Sequence, residues 1–200
     1  MNKGLEMPGY DPRARKAMGM NWALSNMGAN HNYGWPQQEI GDPKPRVLDP
    51  AADEGQGDVI MYNHDSTAAL ELGIACIFPS HHLQFYGLEL MGKMLAAALG
   101  EGRFASEDYL MTAGERVYNL ERCFNIREGF DRKDDTLPRR MFAEPLRGGV
   151  RDGEVIRNPD AIIDQYYDVR GWDRNGIPTP QTLARLGLES QDADVSRYRR

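Results

Sequence analysis

Glycine and proline are gathered in this chain rather than scattered, and that gathering constrains the fold more than any other feature. The sequence holds Gly 21 and Pro 12 in 200 residues, somewhat above the usual share. They cluster at residues 1–12, 34–57, 129–159 and 171–180. Between them lie Gly/Pro-poor segments with apolar residues at helical spacing, and nothing alternates at period two for long. The pattern predicts an all-α fold: an irregular helical bundle with long ordered loops.

Six helices are expected. The first runs from Asp11 to Asn26, with Asp11 as N-cap, Pro12 at the first helical position and Gly28 beyond the last turn. The second runs from Asp58 to Phe78 and stops at Pro79. The third, from His82 to Leu99, carries apolar residues on most sides and should be buried. The fourth starts after Ser106, with Glu107 and Asp108 in the dipole-favoured first turn. Its Leu110, Ala113, Val117, Leu120 and Phe124 form a stripe expected to face the core. Short helices follow at 159–169 and 180–187, and the last residues, SQDADVSRYRR, read as a frayed tail. The four-proline stretch 34–57 is the best internal boundary. It separates an N-terminal helix and connection, 1–56, from a helical C-terminal domain, 57–200.

Composition removes several function classes. A formal charge of −6 with no basic block argues against nucleic-acid binding, which needs clustered Lys and Arg. No apolar run is long enough to cross a membrane, and the N-terminus has no secretory h-region. Two cysteines, Cys76 and Cys123, make no disulfide framework and cannot alone supply the four thiolates of an iron–sulfur cluster. A cytoplasmic, reduced setting is expected. No Ser-His-Asp spacing, P-loop or dinucleotide glycine motif supports a metal-free independent enzyme.

The candidate reactive groups are few. His31 lies in a loop just past the first helix, where reactive groups are often presented. His64, His81 and His82 form no HExxH pattern, and ordinary polar or partly buried roles suit them. Cys76, in LELGIACIFP, is either a buried thiol packed as a small hydrophobe or a metal or cluster ligand whose co-ligands come from elsewhere. Cys123, beside the apolar stripe of the fourth helix, reads as structural. Arg127, Glu128, Arg132, Asp134, Asp135, Arg139 and Arg140 are dense enough to form an ion-pair network that pins a long loop. The DDTLPRR part is the segment most prone to disorder. If it is ordered, its charges should be paired within the chain.

Three long strings carry a resemblance: KGLEMPGYDPRARKAMGMNWALSNMGANH, GERVYNLERCFNIREGFDRKDDTLPRR and YYDVRGWDRNGIPTPQTLARLGL. Together they span nearly the whole chain, which resembles the C-terminal region of the tungsten- or molybdenum-pterin aldehyde:ferredoxin oxidoreductase family. The resemblance implies an all-helical fold like that family's domains 2–3. It implies a part in the two-electron oxidation of an aldehyde to a carboxylic acid, or the reverse, with a small aldehyde or aryl substrate. Electrons would pass through a [4Fe-4S] cluster to ferredoxin, and a bis-pterin would hold the tungsten or molybdenum. His31 matches the family histidine close to the metal, suited to hydrogen-bond substrate oxygen or move a proton. The segment ELGIACIF matches a D-x-x-G-x-C-x-F signature. There Cys76 takes the cluster-ligand position and Glu71 the place of a pterin-contacting Asp. The glycine is displaced to Gly73, and Ile74 stands where the signature has glycine.

The family's N-terminal pterin cradle and its other three cluster cysteines are not in this sequence. The chain is therefore expected to be inactive alone, to bind no cofactor alone, and to need a missing N-terminal half or subunit. Met1 falls inside a family-like string, which favours a truncated piece or a split gene. An isolated chain that lacks this partner should expose apolar surface and self-associate. The alternative is a non-catalytic helical interaction or scaffold module derived from the family, for which Glu71 and the displaced Gly73 are the supporting departures.

Overall fold

The computed structural model describes every residue except 83, 84 and 200, and leaves aside the side chains of 81 and 82. The α-helices are α1 (Lys16–Leu24), α2 (Gly57–Leu72), α3 (Leu88–Leu99), α4 (Glu107–Arg127), α5 (Arg140–Ala143), α6 (Pro159–Arg170), α7 (Pro180–Arg185) and α8 (Glu189–Val195). Among the described residues, extended pairing is limited to two isolated bridges, Asn2 with Leu5 and Trp172 with Pro178. The all-α expectation holds.

Helix α1 is the axis of the fold, and every one of its nine residues is buried. A helix surrounded on all sides needs no amphipathic stripe, so composition rather than period marks it. Met18, Met20, Trp22 and Leu24 enter one core with Tyr33, Ile60, Tyr118, Leu137, Tyr166, Tyr167 and Trp172. Segment 1–56 thus shares its core with α2, α4 and α6. The one charge on α1, Lys16, is buried along its stem, and its ammonium meets Asp53 and Glu154, both at 2.8 Å.

Several helix limits differ from expectation for local reasons. Asp11 caps a 3-10 turn over Pro12–Ala14, and α1 begins only at Lys16. Helix α2 ends at Leu72, because Ile74 adopts a left-handed φ of 53° and breaks the ladder. Helix α3 begins at Leu88 after an extended Gly87, not at His82, and it buries only Leu88, Met91 and Gly92. Its Leu90, Met94 and Leu99 are exposed. The C-terminal residues are no frayed tail. They form α8, whose Val195 is fully buried, and Arg199 donates to the Pro178 carbonyl.

Helix α4 corrects the expectation most. Ser106 caps it as foreseen, accepting from the Tyr109 N–H at 3.2 Å. The buried face, however, is Leu110, Gly114, Tyr118, Arg122 and Ile126, and Leu120 and Phe124 are exposed. Gly114 explains the choice. A Cβ there would lie 2.0 Å from the Asp65 carbonyl oxygen, so only glycine lets α4 cross α2 this closely. That contact turns Tyr118 and Arg122 inward.

Arg122 is buried because an anion waits for it. Asp135, in the DDTLPRR segment, is fully buried and accepts two Arg122 guanidinium bonds, at 3.1 and 2.8 Å. It also takes the Lys3 ammonium at 2.6 Å and the Tyr167 hydroxyl. Burial alone would push the Asp135 carboxyl up, but the charges of Arg122 and Lys3 and their hydrogen bonds hold it below its usual value. Asp134 pairs with Lys133 at 3.2 Å. The two aspartates of the segment are therefore paired within the chain.

Asp135→Asn strands two buried cations. It should cost about 3–5 kcal/mol, read as a lowered urea midpoint at unchanged slope. A loss below about 1 kcal/mol, the range of an exposed pair, would show that the network is not a structural anchor.

Candidate functional site

The loop after α1 presents His31. Ser25 and Gly28 end the helix, Gly28 at a left-handed φ of 82°, and the chain doubles back across α2. The Gly34 N–H donates to the Thr67 hydroxyl at 3.2 Å, and the Tyr33 ring packs on His64 at 5.9 Å. Gly34 is obligatory here, since a Cβ would come within 2.4 Å of the His64 ring. The loop therefore crosses α2 one turn before Glu71, and Cys76 follows from the end of the same helix.

His31 is exposed. Its Nδ1 lies 3.0 Å from the Tyr10 hydroxyl. Burial pushes the Tyr10 phenol up to about 12, so it remains a donor. Trp35 lies 5.5 Å from the imidazole on another side. Arg15 stands over Trp35 at 5.3 Å and bonds Glu39 at 3.2 Å. Glu39 also accepts the Ala17 N–H, at the start of α1, at 2.9 Å. Tyr10 and Glu39 escape a reading based on periodicity, because both lie in irregular segments. The only signal for Tyr10 is its place in the GYDPR string, a fixed 21 residues before His31.

His64 is no ligand. It is fully buried, stacked on Tyr118 at 4.6 Å and bonded through Nδ1 to the Tyr166 hydroxyl at 2.9 Å. Burial, reinforced by Arg170, drives its pKa far below the usual value, so the ring is neutral. Arg170, also buried, donates to Tyr166 and to Asp65. The side chains of His81 and His82 lie outside the described residues.

The ELGIACIF segment caps α2. Glu71 is on the last turn, and burial raises its carboxyl pKa, with the Glu121 charge adding to the rise. Gly73 packs against α3, where a Cβ would meet the Met91 sulfur at 2.4 Å. Ile74 holds the left-handed position and is 95% exposed. The displaced glycine thus has a packing reason, and the conformation that suits glycine falls on Ile74 instead. Cys76 is exposed, which removes its reading as a packed core thiol. Cys123 is buried and pushed up to about 11 by that burial, the inert structural thiol expected. Among the described residues, no group of three His, Cys, Asp or Glu side chains converges to hold a metal, and no helix is long and apolar enough to cross a membrane.

Two measurements check this geometry. Ile74 touches little and pays for a left-handed backbone, so Ile74→Gly should raise stability by roughly 1 kcal/mol, read by urea denaturation; a loss would mean that the side chain packs. Burial raises Glu39 to about 7 from 4.5. A carboxyl raised in the folded state binds its proton more tightly there, so its part of the stability is largest below 4.5 and falls as pH rises toward 7. Glu39→Gln should flatten the stability profile across that window; an unchanged slope would contradict the buried placement.

Three comparisons place the chain among known proteins. The family model described as aldehyde ferredoxin oxidoreductase, domains 2 & 3, matches residues 1–188. The tungsten-containing aldehyde ferredoxin oxidoreductase of Pyrococcus abyssi is 37% identical over 190 residues, 94% of this chain and 30% of the relative. That of Pyrococcus furiosus is 35% identical over 189 residues, 93% of this chain and 30% of the relative. A Pyrococcus furiosus aliphatic sulfonate oxidoreductase, WOR-like subunit, is 34% identical over 110 residues, 52% of this chain. The active-site complex BamBC of benzoyl coenzyme A reductase shares the fold, with a TM-score of 0.64 over 97% of this chain and 33% of that one at 20% identity. The chain spans about 30% of the length of the curated relatives it matches. On the family match and the near-complete coverage, this chain belongs to the aldehyde ferredoxin oxidoreductase family, where it corresponds to domains 2 and 3.

Proposed function

We propose that this chain is the C-terminal helical part of a tungsten- or molybdenum-pterin oxidoreductase. The enzyme would convert an aldehyde and water to a carboxylic acid, two protons and two electrons, the electrons leaving one at a time to ferredoxin. The chain would be inactive alone and would need the polypeptide that supplies the N-terminal cofactor-binding part. The observation that carries the reading is the His31 loop, which crosses α2 at Gly34 and Thr67 one turn before Glu71, with exposed Cys76 leaving the end of the same helix.

The residues present fit the groups that the family name implies. Cys76 offers an exposed thiol as one ligand to a [4Fe-4S] cluster, with the other three from outside the chain. Glu71 offers an exposed carboxylate as acceptor for pterin N–H groups, and Gly73 sets the close packing that aims the segment. When bound, the metal–pterin centre would supply the two-electron acceptor. The hydrogen bond between the Tyr10 hydroxyl and His31 Nδ1 would fix the ring and leave Nε2 free to face a substrate. His31 would hydrogen-bond the substrate oxygen through Nε2 or take up a proton released on acid formation there. Trp35 and Tyr10 hold that ring on two sides. No counterpart of these groups requires a membrane, and the proposed setting is the cytoplasm.

Electron paramagnetic resonance tests the reading. The chain should be co-expressed with the N-terminal part of the Pyrococcus abyssi relative, and the reduced complex examined. The expected result is a [4Fe-4S] signal for the complex that falls at least severalfold in Cys76→Ser and is kept in Cys123→Ser. An undiminished signal in Cys76→Ser overturns the ligand assignment.

A further inference from the structure

Beside the His31 loop lie two carboxylates with no positive charge to meet them. Glu71 ends α2 and Glu121 lies on α4. Burial raises both, and among the described residues no cation offsets it. By contrast, Glu89 is paired with Lys93 and Glu115 with Arg185. Glu121 accepts one bond, from the Asn26 amide at 3.2 Å, and that amide is also spent on the Tyr118 carbonyl at 2.9 Å. The Asn26 Oδ1 is buried and accepts nothing. Asn125 donates to the Asn26 carbonyl at 2.8 Å and closes the floor. Asn26, Met27, Leu120, Glu121, Phe124 and Asn125 line a groove of about 290 Å³. Its rim is apolar and open, with Phe124 57% and Leu120 45% exposed.

A half-desolvated carboxylate with one shared amide donor lacks further donors, and the apolar rim offers a seat for a flat group. We propose that the groove receives an arginine side chain from the polypeptide that supplies the rest of the enzyme, its guanidinium resting on Phe124 and donating to both oxygens of the Glu121 carboxylate. The inference rests on the reading that further polypeptide docks here. The matched relatives carry most of their length outside this region. Arginine suits the site better than lysine, because its planar fork serves two adjacent acceptors and its weakly hydrated face stacks on an aromatic ring. Such anchors, set in an apolar surround, carry much of the energy of an interface. Its methylene stem would cover Met27 and Leu120.

The test uses the chain itself, isotopically labelled, titrated with N-acetyl-arginine methylamide and followed by nuclear magnetic resonance. The expected result is saturable shifts confined to the Asn26 and Asn125 side-chain amides and the Glu121 carboxylate carbon. The uncharged citrulline analogue should bind at least about tenfold more weakly. Glu121→Gln should lose the shifts while raising the melting midpoint of the isolated chain by a few degrees, since it removes a desolvated charge. Phe124→Ala should weaken binding with the midpoint unchanged. Scattered shifts, an equal response to citrulline, or a lower midpoint in Glu121→Gln overturns the proposal. So does saturation of the same signals by 6-hydroxymethylpterin at lower concentration, which assigns the groove to the cofactor. Glu121 plays no part in the Cys76 experiment, so the failure of one reading leaves the other standing.

Discussion

One buried carboxylate holds the outer parts of this molecule to its centre. Asp135 receives Arg122 from α4, Tyr167 from α6 and Lys3 from the N-terminal segment. Lys3 reaches it from a left-handed backbone, φ 44°, and also donates to the Ala23 and Ser25 carbonyls at the end of α1. That end is where the His31 loop begins. The network therefore spends a strained residue and three buried polar side chains to fix the point from which the candidate site departs. Taking these ions out of water is costly, and the return is a single geometry rather than raw stability. Arg122 extends the network to the Gly176 carbonyl and the Trp172 ring, so that the loop after α6 is held by the same anchor.

A second buried set, Asp65, Arg170, Tyr166 and His64, lies under the loop itself. Arg170 to Asp65 and Tyr166 to His64 tie α6 to α2, and Arg170 also donates to Tyr166 within α6. His64, stacked on Tyr118 and filling the space beside Gly34, is the floor on which the His31 loop rests. A neutral, fully buried imidazole makes a rigid floor because no physiological pH charges it. The exposed chemistry of His31 and the buried packing of His64 are thus two uses of one residue type, separated by burial alone.

How much of this was legible in the sequence follows from what each element depends on. Helix α4 announced itself through Ser106 and its acidic first turn, and α7 through Thr179 and Pro180, because caps are local. Its inward face was not legible. Leu120 and Phe124 look like core, but the close crossing at Gly114 turns them outward, and backbone approach leaves no trace in an apolar pattern. The early end of α2 at Ile74 was hidden for the same reason, since isoleucine seldom takes a left-handed conformation. Of the candidate site, His31, Glu71, Gly73 and Cys76 came from the resemblance of strings, not from spacing. Tyr10 and Glu121 were missed because their roles depend on which residues meet in space. The exposed apolar residues Ile74, Phe85, Leu120 and Phe124 fit a chain that spans about 30% of its relatives' length.

The proposed role turns on whether the end of α2 faces a redox centre. Diffraction at the iron absorption edge from crystals of the assembled enzyme measures that directly. The expected result is an iron peak at bonding distance from the Cys76 sulfur, with His31 opening onto the neighbouring cofactor cavity. An iron cluster fully ligated by other cysteines, with Cys76 in solvent, would contradict it.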